Sequence, residues 1–140
     1  MRFLLDTNVL SEGSRRQPDR RVAEWIRGRS PLDLAISVLT VGEILKGIHT
    51  LPPGKRRDEL ELWLDSDLPH QFRNRILPID EPIARIWGRL SGEGRRAGRP
   101  LPIVDGLLLA TAMHHDLTLV TRNESDFEDR GVVIVNPWRD

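Results

Sequence analysis

Short apolar runs alternate along this chain with segments whose apolar residues recur every three or four positions. Residues 2–5 form an apolar run closed by Asp6-Thr7-Asn8, the pattern of a strand ending in turn and capping residues. Residues 12–19 are polar, carry Gly13 and Pro18, and read as a loop. Val22, Trp25 and Ile26 stand at helical spacing over residues 20–27, which Gly28 ends. Leu34-Ala35-Ile36 reads as a second, buried strand. A helix follows over residues 40–48, stopped by Leu51-Pro52-Pro53-Gly54, and another over residues 57–64 with Leu60, Trp63 and Leu64 on one side. Residues 76–79 are a third short strand. Pro82, placed at the first helical position after Asp80, opens a helix bearing Ile83, Ile86, Trp87 and Leu90. A Gly- and Arg-rich stretch over residues 92–102 leads into a strongly apolar helix at 104–113, and strands are expected at 118–120 and 132–135. Trp25, Trp63 and Trp87 all fall on apolar helical faces, so they are expected in the core.

Apolar strands alternating with helices predict an α/β fold, a central parallel sheet covered by helices on both faces. Right-handed crossovers restrict the topology, and ligands in such sheets sit outside the carboxyl ends of the strands. A length of 140 residues without internal repeats or low-complexity tracts suits one domain. No apolar run approaches the ~20 residues that cross a bilayer. The opening Met1–Asp6 has three apolar residues before an acid, unlike a secretory leader, and a cytoplasmic location without membrane contact is expected.

Composition changes this picture mostly by exclusion. The chain has no cysteine, which removes disulfides, zinc ribbons, thiol catalysis and iron–sulfur clusters. With 39% hydrophobic and 30% charged residues it has the makings of a folded core. The 21 basic and 21 acidic residues cancel, so the total charge gives no affinity for polyanions. Their distribution says more. All the bases are arginine except Lys46 and Lys55; residues 85–99 hold five arginines and a single acid, whereas from His114 onward the acids predominate. Oppositely charged segments favour self-association or a charged partner.

Four acids invite attention because of where they fall. Asp6 ends the first strand directly; it is either a helix N-cap or, if Thr7 caps instead, a spare carboxylate. Asp105 lies in the first turn of the apolar helix, and its neighbours around the helical wheel are Leu108, Leu109, Ala112 and Met113. The helix dipole favours its ionised form by about 0.3–1 kcal/mol, but a buried unpaired charge costs several times that. Something cationic is expected to face it, an arginine or a metal ion. Glu43 lies nearly opposite the arc of Val41, Ile44, Leu45 and Ile48, which makes it an exposed helical residue unless its helix packs at the rim of a cleft. Asn123 and Asp126, three apart after the fourth strand, have the spacing of a capping box.

Other chemistries find no support. The four histidines show no metal-ligand spacing, no Gly-rich phosphate loop follows the first strand, and there is no serine nucleophile elbow. A phosphoacceptor receiver domain expects adjacent acids early and a lysine after the fifth strand; neither is present.

Asp6-Thr7-Asn8 after a short N-terminal strand resembles the opening of PIN-domain nucleases. Val41-Gly42-Glu43-Ile44 with Lys46-Gly47-Ile48 is similar to that family's glutamate-bearing helix, and Asp105-Gly106-Leu107-Leu108-Leu109-Ala110 to its central acidic helix. Thr118-Leu119-Val120-Thr121-Arg122-Asn123 followed by Asp126-Phe127 resembles its closing motif, and Val135-Asn136-Pro137-Trp138 resembles VapC toxins of the FitB-like subgroup. The resemblance spans the chain, in order. It implies a three-layer fold with strand order 3-2-1-4-5 and an acidic pocket at the strand ends. It further implies a Mg²⁺- or Mn²⁺-dependent endoribonuclease acting as the toxin of a toxin–antitoxin pair. RNA would be its substrate, a VapB-like antitoxin its inhibitor, a homodimer its assembly, and DNA a contact made only through the antitoxin. Carried over by position, the catalytic acids are Asp6, Glu43, Asp105 and Asp126, with Asp6 and Asp105 holding the principal ion. Thr7, Ser37, Thr121 and Asn123 fall where the family places polar support, and either Asp126 or Asn123 completes the site. Arg95, Arg96 and Arg99 are expected at the mouth, on the RNA backbone. A PIN-like nuclease in RNA or DNA processing without a toxin role, or a catalytically silent dimerisation or binding module, is the alternative.

Overall fold

The computed structural model describes residues 1–140. Strands β1 (Phe3–Leu5), β2 (Leu34–Ser37), β3 (Ile76–Leu77), β4 (Thr118–Val120) and β5 (Ile134–Val135) form one parallel sheet in the order β3-β2-β1-β4-β5, as the resemblance implies. Every residue of β1 and β2 is buried, and their period of two divides them between two cores. Phe3, Leu5, Leu34, Ile36 and Val120 point to one face and Leu4, Ala35 and Leu119 to the other. Continuous apolar runs rather than alternation are what a sheet covered on both sides requires.

The first face is covered by α1 (Thr7–Gly13), α2 (Arg20–Arg27), α3 (Val38–Ile48) and α4 (Lys55–Leu62), the last continuing through a π-turn at Trp63–Asp67 into α5 (Leu68–Gln71). Buried Val22, Leu64, Leu68 and Phe72 fill it, with Trp25 and Trp63 half-buried at its edge. The second face is covered by α6 (Glu81–Arg96) and α7 (Ile103–His114), joined by one turn of α8 (Glu124–Phe127) whose Phe127 is fully buried.

Three expectations need correction. Residues 7–13 form a helix where turn and loop were expected; only Val9 and Leu10 are apolar there, too few for periodicity to register. Glu12, expected in the loop, is buried on that helix and shapes the following segment by accepting from the Asp19 N–H (2.9 Å) and pairing with Arg15 (3.2 Å). The glycines of residues 92–102 do not end α6, which continues to Arg96. Packing overrides propensity at Gly94, where a Cβ would come within 2.7 Å of the Arg99 carbonyl oxygen.

α6 and α7 lie side by side because Gly106 admits Trp87. A Cβ at position 106 would stand 2.9 Å from Trp87 Cδ1 and 3.1 Å from Nε1, and the indole has no flexible end to retreat. This contact seats the first turn of α7, and Asp105 with it. Gly106→Ala is therefore expected to destabilise the protein by about 1–3 kcal/mol, less about 0.5–1 kcal/mol of helix-propensity gain. Chemical denaturation checks it; a stabilised variant would show that the two helices are not seated by this contact.

Candidate functional site

The strand order reverses direction between β1 and β4, which opens a crevice outside their carboxyl ends. Asp6 leaves β1 there with its N–H donating to the Val120 carbonyl (2.9 Å), and Thr121 leaves β4 beside it. The Asp6 carboxylate is divided in use. Oδ1 accepts from the Thr7 N–H at 2.7 Å, capping α1, while Oδ2 accepts from the Thr121 hydroxyl at 2.8 Å and from Asn8 Nδ2 at 3.4 Å. Of the two sequence readings of Asp6 the cap is the one that holds: Asp6 and not Thr7 caps α1, and its second oxygen is engaged by Thr121 and Asn8 rather than spare.

Thr121 is fully buried and its hydroxyl is oriented from two sides, donating to Asp6 and accepting from the Asn123 N–H at 3.0 Å. Asn123 contributes this backbone group only; its side chain makes no cap bond to α8, so the capping box read from residues 123 and 126 does not form. Ser37 is buried and spends its hydroxyl on the Leu39 N–H (3.0 Å) as the cap of α3, placing that helix rather than facing the acids.

Glu43 is exposed, as its wheel position demands, and still belongs to the crevice. α3 packs at the rim, and the Thr7 hydroxyl donates to Glu43 Oε1 at 2.6 Å while lying 3.2 Å from the Thr40 hydroxyl. Buried Thr40 and half-buried Asn8 are the contributors that periodicity missed: each is one polar residue on a helix whose apolar positions alone carry the pattern.

Asp105 projects from the first turn of α7, half-buried. None of the seven ion pairs of the molecule includes it, so the arginine that would have neutralised it is not there. Burial, and then repulsion by Asp6, Asp126 and Glu43, push its carboxyl above the usual carboxylate range. Asp6 is raised as well: loss of solvent outweighs the stabilising bonds from Thr121 and Thr7, and Glu43 adds repulsion. Four acids from four separate elements are therefore within electrostatic reach of one another.

They do not form a finished cage; no three acids or histidines stand close enough to hold an ion as placed. What the crevice offers is an all-oxygen donor set from carboxylates and hydroxyls, which suits a hard divalent cation and not zinc.

The arginines are distributed differently from expectation. Arg95 and Arg96 are exposed in the last turn of α6. Arg99 is not free at a mouth: its guanidinium donates to the Glu128 carbonyl at 3.0 Å. Its partner in that arrangement is Arg130, a residue with no sequence signal, which donates from Nε to the Asp126 carbonyl (3.0 Å) and from both terminal nitrogens to the Arg99 carbonyl (3.3 and 3.2 Å). The positive segment around α6 and the acidic C-terminal segment are thus neighbours within one molecule.

Comparison with known proteins bears on this crevice. The family model for the PIN domain matches residues 3–132. The chain is 38% identical over 138 residues to Toxin FitB of Neisseria gonorrhoeae, covering 99% of both chains. It is 36% identical over 136 residues to VapC ribonuclease Y4jK of Sinorhizobium fredii, covering 97% of each. The crystal structure of FitAcB from Neisseria gonorrhoeae superposes with a TM-score of 0.93 at 37% identity, covering 99% of both chains. A toxin–antitoxin complex from Klebsiella pneumoniae gives 0.72 at 30% identity, covering 96% of each.

Because the Asp105 carboxyl titrates above its unfolded value, its contribution to stability is fully present below the ordinary carboxylate pKa and is lost as pH rises through the raised one. In metal-free buffer at neutral pH, Asp105→Asn is expected to raise Tm by a few degrees, a gain that vanishes once pH falls below about 3.8. Thermal melts across pH in EDTA measure this; a lowered neutral-pH Tm would show Asp105 to be a structural anchor.

Proposed function

The chain belongs to the PIN-domain family, and on that footing we propose that it is the toxin of a toxin–antitoxin pair, a divalent-metal-dependent endoribonuclease. The observation that carries the reading is Asp105, an acid in none of the ion pairs whose carboxyl is pushed above the usual range by burial and then by three other acids, brought from the end of β1, from α3 and from α8. Nothing in a structural salt-bridge network needs such an arrangement. A cation-dependent hydrolase does.

Asp6 and Asp105 are the residues that would hold the principal Mg²⁺ or Mn²⁺, with Glu43 and Asp126 alongside. Bound there, the ion supplies neutralisation of the phosphodiester and a lowered pKa for attacking water. The chain's own groups do the rest. Thr121 keeps one Asp6 oxygen aligned through its two-sided hydroxyl, and Thr7 holds the Glu43 carboxylate toward the crevice. No histidine stands among these groups, so proton transfer falls to carboxylates and water.

Beside the acids, a cavity of about 650 Å³ opens from Thr7 and Glu43 along α3 toward Val104. Val38, Leu39 and Val104 line it together with Gly42, Gly47 and Lys46. Gly42 and Gly47 have nothing within 4 Å of where a Cβ would stand, so α3 carries two helix-weakening residues that its packing does not require. Backbone so open along a cleft suits the close approach of an RNA strand, and Lys46, which enters none of the ion pairs, has its ammonium available for a phosphate. The names of the relatives supply the biological setting: a ribonuclease and a toxin, with a structural neighbour in complex with its antitoxin. For this chain we infer a VapB-like antitoxin that covers the crevice, and a homodimer as the toxin's own assembly.

Incubation of purified protein with single-stranded RNAs tests the reading. Cleavage is expected with Mn²⁺ or Mg²⁺, none in EDTA, and a loss of more than about a hundredfold in Asp6→Asn with the fold retained. An intact protein that shows neither cleavage nor a Mn²⁺-induced thermal shift would instead be a silent binding module. Lys46→Gln is expected to weaken RNA binding across sequences and to lower the salt slope, d log K/d log[salt], by about one phosphate contact; an unchanged slope would take the strand off this cavity.

A further inference from the structure

Asp126 sits on the least secured element of the site. α8 is a single turn of four residues, and its N-cap Asn123 supplies no side-chain bond. Asp129 (φ 57°) and Gly131 (φ 88°) follow it in left-handed backbone. Buried Phe127 fixes the turn to the core, and Glu124 is held by Arg139 at 2.7 Å. Phe127 packs in the same cluster as Leu108, Leu109 and Ala112 of α7, but neither it nor Glu124 makes a hydrogen bond to Asp126 itself.

Arg130 does. Its guanidinium bridges two backbone carbonyls from distant parts of the chain: that of Asp126 itself, through Nε at 3.0 Å, and that of Arg99, through both terminal nitrogens at 3.3 and 3.2 Å. Arg99 lies in the loop between α6 and α7, six residues before Asp105, and returns the contact by donating to the Glu128 carbonyl at 3.0 Å. That loop is itself fixed, since the Arg99 N–H donates to the Gly94 carbonyl at 2.7 Å and the absence of a side chain at Gly94 lets the two backbones meet. Two guanidiniums are kept side by side here against their repulsion, and burial with the neighbouring Arg99 lowers the pKa of Arg130. Surface arginines without a task separate instead.

We propose that Arg130 is a positioning residue for Asp126, fixing the backbone of the fourth acid to the loop that delivers Asp105, so that the two carboxylates serve one cation-binding crevice. This rests on the reading of those acids as cation ligands. Lysine cannot replace the arginine, because one ammonium cannot span two carbonyls with the planar fork that the geometry uses. Nor does the proposal need Arg130 to touch RNA: the bonds its guanidinium makes are to backbone carbonyls.

Titration of Mn²⁺ into the whole protein, followed by calorimetry, tests this alongside the Mn²⁺ dependence of RNA cleavage and the thermal midpoint. Arg130→Gln and Arg130→Lys are both expected to weaken Mn²⁺ binding about tenfold, with the cleavage deficit shrinking as Mn²⁺ is raised. Combined with Asp126→Asn, Arg130→Gln should weaken binding little further, since both changes remove one contribution. A lowered Tm with Mn²⁺ affinity unchanged would make Arg130 merely structural and overturn the proposal. A raised KM for RNA with unchanged Mn²⁺ affinity, rescued by Arg130→Lys, would make it a phosphate contact and overturn it too. A wild-type protein that binds no Mn²⁺ would overturn this inference and the proposed function together, whereas wild-type binding that the Arg130 variants leave intact would remove the inference alone.

Discussion

Carboxylates that are both desolvated and set to repel one another govern this molecule's working end. Two unit charges 4 Å apart repel by about 4 kcal/mol at an effective dielectric of 20, a large fraction of the ~5–15 kcal/mol that stabilises a small domain. At Asp6 and Asp105 burial is the larger cause and repulsion from the neighbouring acids adds to it, so that both are pushed toward the protonated form. The first turn of α7 offsets some of it, since the helix N-terminus favours negative charge. The bonds from Thr121 and Thr7 offset some at Asp6. What remains is the driving force for taking up a cation.

The rest of the fold can be understood as the means of holding those charges where they would not stay by themselves. Five short parallel strands, buried on both faces, place Asp6 and Thr121 side by side at the point where the strand order reverses. The Trp87–Gly106 contact seats Asp105, and the cap at Ser37 starts α3 so that Glu43 reaches the rim. Each acid is thus carried by a separate packing decision, and the core, not the site, supplies the free energy. The same logic explains why hydroxyls and amides fill the gaps among the acids. Thr7, Thr121 and Asn8 satisfy carboxylate oxygens without neutralising them, with the Thr40 hydroxyl behind that of Thr7, which leaves the net negative charge in place.

Much of this was legible in the sequence. The strands announced themselves because burial on both faces demands unbroken apolar runs, as in Leu34-Ala35-Ile36, and Asp105 stood out as a charge on a helix with almost no polar side. Glu43 was legible only in part: periodicity gave its exposure correctly, but whether an exposed residue faces bulk water or a crevice depends on what packs across from it. Helix α1 escaped because Val9 and Leu10 are a minimal signal, and the extent of α6 because Gly92 and Gly94 mimic a terminus. Arg99 and Arg130 show the deeper limit. Arg99 is spent on a backbone carbonyl 29 positions away and Arg130 on carbonyls 31 and 4 positions away, and an acceptor that every residue possesses leaves no mark in a side-chain pattern.

The most direct test is carbon-detected NMR titration of the aspartate carboxyls, first in EDTA and then with Mg²⁺. The account predicts that Asp6 and Asp105 titrate above the ordinary range in the metal-free protein and fall sharply once Mg²⁺ is present. Ordinary values for both, indifferent to the cation, would mean that the acids neither feel one another nor share an ion, and would contradict it.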